Sequence, residues 1–424
     1  MRWAILMLLL VCHSTLAQEA AKPLTPAEAA KKVDQQVTVE MQVKSSGGNR
    51  NRYLNSAADY SASSNFTIFI PEAAVPKFRE AGIDKPEEHY YGKTIRVRGS
   101  VTLTRNKPQI TVHEPAQIVI DENKSGRPIY KMTHTYKRAG ALSIKADSYR
   151  FVDRPGQPVV VWIHGGALIN GHRESVPQWL MDACRDSSYV LVSLDYRLAP
   201  ETQLPEIIAD IEDAFRWIRE QGPELFQADP QRIAVVGGSA GGYLTLTAGF
   251  RVQPRPKALV SLWGYGDLVG PWYSEPSPHP RHQTSKLSRD EAYQQVSGQP
   301  VSDSRDRQGN GGAFYQFCRQ QGIWPLAVSG WDPHTQAAKF APFMAIKNVT
   351  SDYPPTLLIH GDKDTDVPHE QSALMDAELT KHKVEHRLIT IAGAEHGLAD
   401  ADPKVVQAAY RAAAEFLRQH LSLP

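Results

Sequence analysis

Apolar and polar side chains alternate from Val37 to Val43, the pattern of a strand with one face in a core and the other in solvent. Asn65 to Ile70, Thr94 to Leu103, Gln109 to Val112 and Ile118 to Ile120 are further strand candidates, with a turn around Asn106-Lys107-Pro108. Pro71 to Ala81 reads as a helix with proline in its first turn. The pattern changes after the charged, Gly- and Pro-containing run DENKSGRP that begins at Asp121. Beyond it come the continuous apolar run Val159–Ile163 and the largely apolar runs Tyr189–Leu194, Arg232–Val236, Ala258–Leu262 and Thr356–Ile359, separated by helical stretches such as Ile207 to Gln221. Such runs are parallel strands covered on both faces, and the alternation of strand and helix predicts an α/β, doubly wound, mostly parallel sheet over 128–424. Lys131 to Phe151 is expected to add two antiparallel strands at its start. The residues before the break, 24–121, form a separate all-β unit.

About five strands with a helix before the fourth is the order of a small Greek-key barrel. The stretch Tyr53-Leu54-Asn55-Ser56 followed by Asn65-Phe66 resembles bacterial OB-like domains. That resemblance implies a module for oligonucleotide or glycan, or a tethering role. Acids and bases nearly balance here, and the aromatics do not pattern as a stacking platform. The tethering role is preferred, and no nucleic acid partner is expected.

The chain has 424 residues and a formal net charge of +1, so no strong field points to nucleic acid or to an anionic membrane. Arg2, the apolar run Ile5–Val11 and Thr15-Leu16-Ala17 read as a signal peptide over 1–17, which places the mature chain in a secreted or periplasmic setting. Cys12 falls within that peptide. No segment is long and apolar enough for a membrane span. The two remaining cysteines, Cys184 and Cys318, lack metal-ligand spacing and read as separate thiols, at least one of them in a core.

Gly237-Gly238-Ser239-Ala240-Gly241-Gly242 follows an apolar strand and precedes the helix-compatible run Tyr243–Phe250. That is the context of a nucleophile elbow, where a sharp turn presents a serine hydroxyl at a helix N-terminus and only small neighbours fit. His164-Gly165-Gly166 ends an earlier core strand. Its glycines allow backbone N–H groups to approach a developing oxyanion, so Gly165 or Gly166, together with Ala240, are the candidate donors. His164 is expected to fix that loop. After Ile359 come three aspartates, Asp362, Asp364 and Asp366. The H-G-x-x-D spacing selects Asp364 as the orienting acid. Asp362 is expected to shape the turn through its own backbone bonds, and Asp366 to cap or to face solvent. A cation site built from all three lacks the remaining ligands of a calcium loop. Of fifteen histidines, His396 follows the last predicted strand, Glu385–Ala392, and precedes the closing helix from about Pro403 to His420, the place for a general base. His382 and His386 read as surface residues, and His279 and His282 as solvated ones.

The order Ser239, Asp364, His396 with H-G-G upstream resembles the α/β-hydrolase superfamily over residues from about 130 to the end, nearest its H-G-G esterase and lipase branches (hormone-sensitive-lipase-like or acyl-aminopeptidase-like). Asp195-Tyr-Arg-Leu-Ala-Pro-Glu201 matches a stretch of the lipase-like branch and is carried over as structural. The chain departs from that branch at Gly238, where aspartate is usual, and at Ala167. The resemblance implies hydrolysis of a small-molecule or polysaccharide carboxylic ester through an acyl-enzyme, with neither metal nor cofactor. An exopeptidase on the same residues, or a non-catalytic binding protein, are the alternatives. The segment about 268–338, rich in Pro, Gly and aromatics, reads as a lid or as a packed excursion, the lid being preferred. Trp263 and Tyr265 are candidates to line the pocket. The oligomeric state is left open.

Overall fold

The structure is a computed structural model that describes residues 23–57, 59–121, 129–152, 154–296 and 298–422. The predicted leader, 1–17, lies outside the described residues. The chain falls into two compact units, Met1–Gly126 and Arg127–Pro424.

In the first unit the strands are β1 (Gln36–Gln42), β2 (Ser45–Gly47), β3 (Arg52–Asn55), β4 (Thr67–Ile70), β5 (Thr94–Thr104), β6 (Lys107–Thr111) and β7 (Ile118–Ile120). β1 pairs with β5, β5 with β6, β6 in parallel with β4, β4 with β3 and β3 with β2. β1 and β2 are two halves of one run that changes partner at its middle: Val43 N–H donates to Lys93 O at 2.9 Å and Lys44 N–H to Asn55 O at 2.8 Å. The pairing circuit thereby closes on itself, leaving few unpaired edges. Inside it Val39, Leu54, Phe66, Ile68, Ile95 and Val97 are fully buried. β2 and β3 had no alternating signal because they are short and polar. The helix expected at 71–81 is split into a 3-10 turn, Glu72–Ala74, and an α-helix, Val75–Glu80. Pro76 lacks an N–H and is tolerated only in a first turn, so the α-helix begins at Val75.

The second unit is built on β8 (Tyr130–Ala139), β9 (Leu142–Arg150), β10 (Gln157–Ile163), β11 (Val190–Leu194), β12 (Ala228–Gly238), β13 (Ala258–Leu262), β14 (Thr356–Gly361) and β15 (His386–Ile391). They lie in the order β15-β14-β13-β12-β10-β11-β9-β8. β10 to β15 are mutually parallel, and β9 and β8 run antiparallel at one edge. β10, β11, β13 and β14 are buried at every position, which accounts for their largely apolar runs. Side-chain alternation divides each strand between two cores. Val159, Val161 and Ile163 face the helices Leu204–Phe226 and Ala240–Arg251. Val160 and Trp162 face the helices Gln178–Ser187 and Pro403–Leu421. Cys184 and Cys318 are both buried and unpaired.

Between β13 and β14 the chain forms short helices, among them Gly312–Gln321 and Trp324–Ser329. Tyr273, Phe314 and Trp324 from this stretch are fully buried in the same core as β10 and β12. Those aromatics, expected to shape a pocket from a lid, are core packing instead. Among the described residues, no helix is long and apolar enough to cross a membrane.

Candidate active site

Five strand ends meet at the carboxyl edge of the sheet, beside the reversal of strand order where open α/β sheets leave a crevice. β10 leads into His164, β12 into Ser239, β13 into Trp263, β14 into Asp364 and β15 into His396.

Ser239 stands between β12 and the helix Ala240–Arg251 with φ +57° and ψ −122°. A positive φ at a non-glycine residue costs of order 1–3 kcal/mol, so the surroundings must hold it. Its N–H donates to Leu262 O at 2.9 Å, and its carbonyl accepts from Tyr243 N–H at 3.0 Å. The flanking glycines are steric necessities. A Cβ on Gly237 would overlap Gly241 O, and one on Gly241 would overlap Ile163 O. At Gly238, where the related branch carries aspartate, a Cβ would sit 3.3 Å from the Trp263 ring, a tight contact with a side chain rather than with backbone.

His396 Nε2 lies 3.2 Å from Ser239 Oγ, and its Nδ1 lies 2.7 Å from Asp364 Oδ2. The three predicted side chains thus form one hydrogen-bonded row. The carboxylate assigns the proton to Nδ1 and leaves Nε2 as the acceptor facing the hydroxyl. Burial opposes a charged imidazole, but the bond to Asp364 and the charges of Asp366 and Asp364 outweigh it and raise the His396 pKa above 6.5. Asp364 Oδ1 accepts from the N–H groups of Asp366 and Val367, both at 2.9 Å. Burial pushes its pKa up, yet the bonds with His360 and His396 prevail and hold it at about 2. Asp364 is therefore ionised at neutral pH.

On the other side of Ser239 the H-G-G turn packs against the elbow. A Cβ on Gly165 would meet Gly238 O at 2.7 Å, and Gly166 has φ +107°. Among the described residues no acceptor takes the N–H groups of Gly165, Gly166 or Ala240. His164 is buried, stacks on Tyr196 at 4.3 Å between centroids, and its Nδ1 lies 2.8 Å from Gly165 O. Burial lowers its pKa to about 4, so it is neutral and braces the loop. Ala167 takes φ +56°, and its carbonyl accepts from Trp324 Nε1 at 2.9 Å. A residue of the β13–β14 insertion thereby ties down this turn.

Four expectations are corrected. Tyr265 does not line a pocket: it is fully buried and stacked on Tyr243 at 5.1 Å. Trp263 does stand at the site, half-buried, with its ring edge-on 6.4 Å from His396. Asp366 neither caps a helix nor faces solvent. It is buried and accepts on Oδ1 from His282 Nε2 at 2.9 Å, Tyr315 hydroxyl at 2.5 Å and Arg319 at 3.2 Å. His282, expected to be solvated, is 2% exposed and also bonds Ser277 Oγ at 2.7 Å. Asp362 shapes its surroundings by accepting from Gly393 N–H at 2.6 Å across the site, not from its own turn. The three aspartates point to different partners, and no trio of His, Cys, Asp or Glu among the described residues is placed to hold a metal. In the sequence His360 stands out only as part of the H-G-x-x-D spacing. It is fully buried, with Nε2 2.9 Å from Val367 O and 3.3 Å from Asp364 Oδ2.

A family model described as alpha/beta hydrolase fold matches residues 160–400, and the chain belongs to that family. Solved structures with the same fold include a protein of unknown function from Staphylococcus aureus subsp. aureus Mu50 (22% identical, 70% of this chain and 100% of that one, TM-score 0.55). Another is an alpha/beta hydrolase superfamily protein from Enterococcus faecalis (22%, 68% and 99%, TM-score 0.54). The thermophilic carboxylesterase EstE1 from a metagenomic library is similar as well (21%, 70% and 90%, TM-score 0.50). Among curated proteins, the non-reducing polyketide synthase adrD of Penicillium rubens is 26% identical over 79% of this chain. The synthase prhL of Penicillium brasilianum is 27% identical, also over 79%. This chain spans 16% of the length of each.

Proposed function

We propose that this chain hydrolyses carboxylic esters through an acyl-enzyme on Ser239. The observation that carries the reading is the row Ser239 Oγ, His396, Asp364, with contacts of 3.2 and 2.7 Å. His396 Nε2 takes the hydroxyl proton as Oγ attacks the ester carbonyl. Negative charge then collects on the former carbonyl oxygen, facing the N–H of Ala240 and of Gly165 or Gly166. Ionised Asp364 stabilises the imidazolium without taking its proton. Collapse of the intermediate breaks the bond to the alcohol, and His396 hands that alcohol the proton. Water then repeats the sequence on the acyl-enzyme and frees the acid. A fluorophosphonate is expected to label Ser239. Ser239→Ala should abolish labelling and lower ester turnover by roughly 10⁴-fold or more. Full activity in that variant would sink the proposal.

A second reading is favoured by the likeness to non-reducing polyketide synthases over 79% of the chain. The same serine can take an acyl group from a thioester as well as from an ester. Turnover of an acyl thioester with none of the matching oxygen ester would select it. The pairing circuit of the first unit, with β4 and β6 parallel and the helix preceding β5, supports its OB-like reading; its tethering role is part of the proposal. Removal of 1–17 and export of the chain remain part of the proposal; the mature protein should begin at Gln18.

A further inference from the structure

The loop that supplies Asp364 places a second carboxylate on the other side of His396. Asp366 Oδ1 is occupied by His282, Tyr315 and Arg319. Its carbonyl oxygen takes a further bond from Arg319 at 2.8 Å. Oδ2 is different. Among the described residues no donor reaches it within hydrogen-bond distance: Arg281 Nη2 stands at 3.8 Å and His396 Nε2 at 3.7 Å. The side chain keeps 11% of its surface open, beside His396 at 16%. A buried acceptor with donors crowded on one oxygen and none on the other has capacity that the fold does not use.

Position says what could use it. His396 Nε2 hands the proton to the departing alcohol oxygen, so Oδ2 stands next to that oxygen's place. A separation of 3.7 Å between the two protein atoms lets neighbouring oxygens of a 1,2-diol meet one each. Charge decides between a hydroxyl and an ammonium as donor. Arg319 and Arg281 already balance Asp366 and Glu395, the latter 2.7 Å from Arg281, and Asp364 is engaged by His396. An ammonium would bring a further positive charge beside two guanidinium groups, whereas a hydroxyl brings none.

We propose that Asp366 determines alcohol specificity, its Oδ2 accepting a hydrogen bond from a hydroxyl on the carbon adjacent to the one that bears the scissile oxygen, as in esters of polyols and sugars. This rests on the ester-hydrolase reading above and names its alcohol class. Isolated esters test it with the full chain: kcat/KM for 2-hydroxyethyl acetate against propyl acetate, which matches it in size, and 2-methoxyethyl acetate, which keeps the oxygen but is a methyl group larger; both lack the donor. The wild-type protein should favour the hydroxyl ester by about tenfold, the scale of a bond to a charged acceptor. In Asp366→Asn the three donors on one side hold the amide oxygen there. Its NH2 group then replaces Oδ2, an acceptor becomes a donor, and the ratio should fall to near one. A wild-type ratio near one overturns the assignment while leaving the ester-hydrolase reading intact, and needs no folded variant. An unchanged ratio in Asp366→Asn overturns it too. No turnover of any ester, with Ser239 unlabelled by fluorophosphonate, overturns the ester-hydrolase reading and this assignment with it.

Discussion

Trp324→Phe tests how the β13–β14 insertion supports the candidate oxyanion donors. Trp324 is fully buried, stacks on Tyr273 at 4.0 Å, and donates to Ala167 O at 2.9 Å. Phenylalanine keeps an aromatic ring but removes the donor, leaving the Ala167 carbonyl without its partner inside the protein, at a cost of about 1–3 kcal/mol. The smaller ring leaves a void worth about 1 kcal/mol more. The expected loss of stability is therefore about 2–4 kcal/mol, read as a lower urea midpoint at constant slope. The effect should reach the chemistry. Ala167 and Leu168 hold φ of +56° and +62°, a conformation disfavoured by roughly 1–2 kcal/mol per residue. Freed from Trp324 the turn can relax and carry Gly165 and Gly166 with it. Losing one well-placed donor costs about 10²–10³ in kcat, so partial displacement should lower kcat for p-nitrophenyl acetate by roughly tenfold to a hundredfold, with KM little changed. A stability change within about 0.5 kcal/mol together with unchanged kcat would refute the reasoning. A loss confined to KM would move the role of Trp324 from the oxyanion to binding.

Four further outcomes follow from the same geometry. His396 must be neutral to act as base and its pKa is raised above 6.5, so the acid limb of kcat/KM should lie above pH 6.5; Asp364→Asn should move that limb to lower pH, and a limb at or below 6.5 in the wild type would contradict it. Asp364 is depressed from 3.8 to about 2, so its stabilisation of about 2 kcal/mol is present above pH 3.8 and should fade as pH falls through about 2, a loss that acid titration of Asp364→Asn should not show. Glu201 and Arg307 form an ion pair with side chains 4% and 3% exposed, and Arg307 also donates to Ala199 O at 2.9 Å; Glu201→Gln should cost about 3–5 kcal/mol by leaving a guanidinium unpaired, and thermal melting at the wild-type temperature would exclude it. Gly241→Ala drives a Cβ into the backbone oxygen of Ile163, which no rotamer change relieves, so about 3 kcal/mol or more of stability should be lost, checked by denaturant unfolding.

The sequence by itself determined whatever is written over a few adjacent residues. The largely apolar runs announced β10, β11, β13 and β14, because a strand covered on both faces admits only an occasional polar side chain, such as Ser193 or Ser261, that is buried and hydrogen-bonded. The elbow was legible because its turn tolerates no Cβ at Gly237 or Gly241. The order of Ser239, Asp364 and His396 was legible because each follows its own strand, and parallel strands bring their carboxyl ends to one edge. What depends on distant segments meeting was not. Asp366 is an acid among three in its loop until His282, 84 residues away, and Arg319, 47 residues away, close on it. Trp263 and Tyr265, on either side of Gly264, gave no sign of which ring faces the site, since it is the stacking of Tyr265 on Tyr243 that takes it into the core. The short strands β2 and β3 were invisible because only Leu54 of theirs is a buried apolar side chain, too little to set an alternating pattern, and it is hydrogen bonding to their neighbours that marks them as strands. Tertiary packing decided these points because each rests on a partner that local spacing cannot name.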